Sequence, residues 1–93
     1  RQNFPGSLNG APILLPGPSS AIRRSLDAWM DRHEIHPHIR AEFDDTALMK
    51  AFGQTGEGLF PGDLAIAEEI SRQYEVELVG EVEGVKEAYY AIS

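Results

Sequence analysis

Cysteine is absent from all 93 residues. That removes disulfides, thiolate catalysis and cysteine-based zinc or iron–sulfur sites from consideration, and a reducing cytoplasm is the expected location. No apolar run approaches the ~20 residues that a membrane-spanning helix needs. Mean hydropathy is -0.29, so no membrane partner is expected. No basic stretch followed by an apolar one marks a secretion signal. Bases are scarce too, eight against fifteen acids for a formal charge of -7. Most of such a surface repels a polyanion, because affinity for nucleic acid comes mainly from Lys and Arg neutralising phosphates. The densest basic group, Arg23, Arg24 and Arg32, is interrupted by Asp27 and Asp31. This segment is not expected to hold DNA itself.

What is present fits one small domain. Apolar residues make up 42%, too many for a disordered tail, and a chain of this size buries roughly 60–65% of its unfolded surface. It opens on Arg1 rather than Met and is expected to be a piece of a longer protein. Residues 1–9 read as an extended connector with Phe4 and Leu8 as anchors, and residues 10–93 as the domain.

Strands and helices alternate along the domain. Pro12 to Pro16 is a short apolar run between prolines, which suits a buried strand. Ser19 or Ser20 then caps an amphipathic helix with Ile22, Leu26, Trp29 and Met30 on its buried stripe and Arg23, Arg24, Asp27 and Asp31 between them. His38 to Phe43 alternates as a second strand. Asp44 or Asp45 caps a second helix whose inner face is read as Ala47, Leu48, Ala51 and Phe52, ended by Gly53, Gly56 and Gly58. Gly58 to Pro61 reads as a minimal third strand. Asp63 caps a third helix carrying Leu64, Ile66, Ala67 and Ile70. Val76 to Val82 and Glu87 to Ile92 are the last strands, joined by a turn short enough for antiparallel pairing. This order predicts an α/β fold: a mostly parallel sheet flanked by helices on both faces.

Ligands of open α/β sheets bind beyond the carboxyl ends of strands, near helix N-termini. Here those places are Gly17, Pro18, Ser19 and Ser20, then Asp44, Asp45 and Thr46, then Pro61 to Asp63. The first loop offers hydroxyls, free N–H groups and a positive helix end, a combination that favours a small anion. Plain N-capping accounts for the same serines. Glu42, Asp44 and Asp45 could supply some oxygens to a hard cation, although one cap plus solvated charge is the simpler account and no firm metal site follows. His36 and His38 flank Pro37 but lack a third firm ligand, so Zn or Ni would need Glu34 or an outside group, and with His33 they are read as surface residues. The glycines at 53, 56 and 58 do not follow a strand into a helix and are not followed by a Lys-Ser/Thr pair, so they form no phosphate loop. No Gly-x-Ser-x-Gly elbow and no triad context assembles. Neither an enzyme nor a cofactor is expected.

The strand ending Ile13-Leu14-Leu15-Pro16-Gly17, the helix Ser19-Ser20-Ala21-Ile22-Arg23-Arg24-Ser25-Leu26-Asp27-Ala28-Trp29-Met30 and then Ile35-His36-Pro37-His38-Ile39 carry a resemblance. From Leu8 to Ser93 the chain resembles the second regulatory lobe of LysR-type transcriptional regulators. The resemblance implies one lobe of a type 2 periplasmic-binding-protein-like domain that senses a small-molecule or ion effector in an interlobe cleft. DNA binding then belongs to an N-terminal helix-turn-helix outside this chain, and the intact protein is implied to be a homo-oligomer. By position, Gly17 to Ser20 and Phe43 to Thr46 match the cleft-facing loops, with Pro61 to Asp63 a third. The stretch from Phe43 to Pro61 resembles family members that activate sodium/proton antiporter genes in response to sodium or lithium and alkaline pH. A lobe of a solute-binding transport protein, with the same architecture, is the alternative.

Overall fold

Neighbouring residues of a strand point to opposite faces, and Ile13, Leu14 and Leu15 are all fully buried. The first strand must therefore be covered on both sides. The computed structural model, which describes residues 3–92, shows how. Its elements are β1 (Pro12–Pro16), α1 (Ala21–Arg32), β2 (His38–Phe43), α2 (Thr46–Gln54), β3 (Phe60–Asp63), α3 (Ala67–Tyr74), β4 (Val76–Val82) and β5 (Glu87–Ile92). Short 3-10 turns cover Gly6–Leu8 and Leu64–Ile66. Arg1 and Gln2 of the expected connector, and Ser93 at the end of the domain, lie outside the described residues.

Ile13 and Leu15 pack with Leu26, Trp29 and Met30 of α1, together with Leu8, Val82 and Tyr89. Leu14 faces the other way, toward Met49 of α2, Ile70 of α3, Phe60 and Tyr90. Helices thus cover both faces. Leu8 is buried and Phe4 stacks 5.9 Å from the Trp29 ring, so both anchors of the N-terminal stretch are in the α1 side of the core. Phe4 also lies over Gly80, where a Cβ would collide with its ring. The Trp29 indole N–H is buried with no hydrogen-bond partner among the described residues.

The pairing corrects the expectation of a mostly parallel sheet. β1 and β2 pair in parallel, whereas β5 sits between β3 and β4 and is antiparallel to both. The two parts meet where Leu14 N–H donates to Leu59 O at 2.7 Å and Leu59 N–H to Pro12 O at 3.1 Å, a parallel bridge. The resulting spatial order is β2-β1-β3-β5-β4. Strands reached through a helix run parallel; β5 follows β4 after a four-residue turn that only a hairpin can close. Gly84 (φ 82°) and Lys86 (φ 63°) supply the left-handed conformations of that turn.

Two helix faces also differ from expectation. On α2 the buried residues are Met49 and Gly53, while Leu48 and Phe52 are 48% and 42% exposed and Ala47 and Ala51 are exposed. The helix is apolar nearly all round, so its periodicity did not define a face. Gly53 lies inside the helix rather than ending it, because a Cβ there would collide with the buried Phe60 ring. Asp63 caps the 3-10 turn, not a continuous third helix, and Ile66 is left 41% exposed. The third strand is Phe60–Asp63, two residues later than Gly58 to Pro61.

Candidate functional site

The carboxyl ends of β1 and β2 are drawn together by their own backbone. Gly17 N–H donates to Phe43 O at 2.9 Å. A Cβ on Gly17 would sit 2.8 Å from Asp44 Oδ1, so glycine is what lets the two loops touch. Ser20 caps α1, its hydroxyl accepting from Arg23 N–H at 3.1 Å. Asp45, rather than Asp44, caps α2 and accepts from Ala47 N–H at 2.9 Å. The two helix N-termini that the sequence singles out are thus neighbours.

Arg23 ties this corner together, and it is buried although the sequence pattern placed it between the residues of the buried stripe of α1 rather than on it. It is only 7% exposed. Its Nη1 donates to Pro16 O at 2.9 Å and to Glu42 Oε2 at 2.7 Å, and its Nε donates to Asp27 Oδ1 at 3.0 Å. Burial works against the charge, but the hydrogen bonds and charges of Glu42 and Asp27 outweigh it and raise the guanidinium above its ordinary value. Glu42 is therefore engaged by a cation and Asp45 by a helix end. Among the described residues no group of three or more His, Cys, Asp or Glu could hold a metal ion. His33 packs against Trp29 with ring centroids 4.7 Å apart and planes tilted by 45°, and His36 and His38 are exposed.

Beside this corner a cavity of about 310 Å³ is lined by Pro16, Ile22, Thr46, Met49, Lys50, Pro61, Gly62, Asp63 and Glu87. Of the residues singled out by sequence, Thr46 and the stretch from Pro61 to Asp63 line it directly. Gly17, Ser20, Phe43, Asp44 and Asp45 build the loops beside it, and Pro18 and Ser19 are exposed at their rim. Ile22, Met49, Lys50 and Glu87 were not singled out. Lys50 stands four residues after Thr46, one turn along the same helix face, a signal that was available. Glu87 enters only through the β3–β5 register, which brings it opposite Asp63. A shallower depression of about 510 Å³ between α3 and β4 involves Glu68, Ser71 and Arg72. It lies away from the strand ends, and the smaller cavity is the better candidate because helix N-termini and charged groups converge on it.

The cavity perturbs its own titratable groups. Burial, and next the Asp63 charge, push the Glu87 carboxyl up to about 7, with Lys50 opposing. Tyr90 is pushed up to about 12 by burial and by Glu87 and Asp63; its hydroxyl donates to Asp63 O at 3.0 Å. None of the hydrogen bonds among the described residues joins a hydroxyl nucleophile to a histidine or carboxylate base. The arrangement is suited to binding a small ligand between an apolar floor and three charged side chains.

No family model matches the chain, and no solved structure matches it. Among curated proteins, the transcriptional activator protein NhaR of Escherichia coli (strain K12) is 37% identical over 89 residues, 96% of this chain and 30% of its own length. NhaR of Shigella flexneri is similar to the same extent. The chain therefore spans less than a third of the length of these relatives. Over that span the chain is similar to a LysR-family transcriptional activator.

Proposed function

We propose that the chain is an effector-sensing lobe of a LysR-type transcriptional regulator, with a binding rather than a catalytic role. In this reading residues 10–93 form the second lobe of a type 2 periplasmic-binding-protein-like domain, and residues 1–9 connect it to the first. DNA is held by a helix-turn-helix elsewhere in an intact, cytoplasmic, homo-oligomeric protein. The strand-end cavity, with Gly17 to Ser20, Phe43 to Thr46 and Pro61 around it, is this lobe's share of the effector site. The effector is a small molecule or ion, and the response is activation of sodium/proton antiporter transcription by sodium or lithium at alkaline pH.

The observation that carries the reading is convergence. Three strand ends, two helix N-termini and a titratable carboxyl near neutrality meet at one cavity, in a chain 37% identical to a transcriptional activator. A reporter gene under the intact regulator tests it. Thr46→Tyr, at the first position of α2, is expected to fill the cavity mouth and reduce induction by sodium at pH 8.5 at least fivefold, with operator binding in the absence of sodium unchanged. Wild-type induction in this variant would remove the cavity from the effector site.

A further inference from the structure

Three charged side chains reach the strand-end cavity, each from a different element: Lys50 from α2, Asp63 from β3 and Glu87 from β5. Asp63 and Glu87 are directly opposed, at one end of the β3–β5 ladder, where side chains share a face and like charges repel. From the other side, β4 presents Val82 to Glu87, while its nearest charge, Glu81, pairs with Ala88 and is turned to the opposite face by strand alternation. The turn after β3, Leu64–Ile66, is uncharged. Lys50 makes no ion pair within 4.0 Å among the described residues. Asp63 is occupied in accepting from Ala65 N–H at 2.9 Å.

We infer that Glu87 is the charge-selecting residue of this cavity: its proton decides whether Lys50 and Asp63 balance each other or whether the wall carries one net negative charge that favours a cationic occupant. With Glu87 protonated, Lys50 and Asp63 sum to zero. Loss of that proton to solvent leaves two carboxylates against one ammonium. Burial and the facing Asp63 put this transition near pH 7, so the cavity wall goes from neutral to negative around neutrality rather than in the acid range of an ordinary carboxylate.

The inference takes its biological meaning from the effector reading above, but the measurement is of the cavity's own charge. Carboxyl and amide NMR of the 93-residue chain between pH 5 and 9 follows Glu87 directly, with the Thr46, Lys50 and Gly62 amides as local reporters. The Glu87 carboxyl is expected to titrate near neutrality and the amides to shift with the same midpoint. Asp63→Asn, which keeps an acceptor for Ala65, lowers that midpoint by about one unit, and Lys50→Met raises it. Small cationic and anionic nitroxide probes then read the local potential. Relaxation enhancement of the cavity amides by the cationic probe, relative to the anionic one, is expected to rise through the same midpoint, and Glu87→Gln abolishes the rise. A Glu87 midpoint in the ordinary carboxyl range, a midpoint that neither variant moves, or an unchanged probe ratio overturns the assignment. No effector is needed, so its failure is distinct from failure of the reporter test.

Discussion

At the scale of single residues, the buried Arg23 and the half-buried Glu87 are ionisable groups handled in opposite ways. Arg23 keeps its charge because Pro16, Glu42 and Asp27 receive its N–H groups. Arg23→Met is expected to leave the Pro16 carbonyl and Glu42 without their donor and to cost about 1–3 kcal/mol, measured by urea unfolding at pH 7. Both carboxylates are more than 40% exposed and are rehydrated in the variant, which keeps the loss below that of a fully buried pair. Glu87 has no such partner among the described residues, and its folded state prefers the neutral acid. Its stabilising contribution is therefore complete below the ordinary value of 4.5 and is lost as pH rises toward about 7. The loss should amount to about 1–2 kcal/mol after allowing for the solvent that reaches a half-buried group. Glu87→Gln should remove this slope from unfolding midpoints measured between pH 5 and 8; a slope that survives the change would assign it to another group.

At the scale of elements, α2 shows how far a pattern can be read and where it stops. A cap at Asp44 or Asp45, of which the structure selects Asp45, and the helix itself follow from local chemistry. Its orientation does not, because Ala47, Leu48, Met49, Ala51 and Phe52 surround the axis with apolar side chains. The deciding residue is Gly53, against which the Phe60 ring packs. In an exposed helix Gly→Ala gains about 1 kcal/mol. Here Gly53→Ala is expected to lose about 1–2 kcal/mol on balance, since overpacking a close contact outweighs the gain. Chemical denaturation measures it, and a stabilised variant would show that α2 stands further from β3. Leu48 and Phe52, left outside by this choice, give α2 an exposed apolar flank with Phe52 5.2 Å from Phe43.

At the scale of the whole molecule, charge and architecture are separable. A surface carrying -7 is expected to give the 93-residue chain no DNA affinity at physiological salt. An electrophoretic mobility shift assay checks this, and a sequence-specific shift would contradict it. The architecture joins two cores across one five-strand array, so that residues far apart in sequence share the cavity: Pro16, Thr46, Pro61 and Glu87 each come from a different strand end or helix start.

Much of this was legible from residue order alone. Alternation and proline punctuation determined β1, β2, β4 and β5, capping chemistry narrowed the starts of α1 and α2 to two adjacent residues each, and the ends of the strands pointed to Thr46 and Pro61, which line the cavity. These are local properties, set by neighbours a few positions away. The tertiary structure decided the insertion of β5 between β3 and β4, the burial of Arg23, the inward face of α2 and the meeting of Asp63 with Glu87. Each depends on what packs from a distant part of the chain, and a register between strands leaves no trace in either strand by itself.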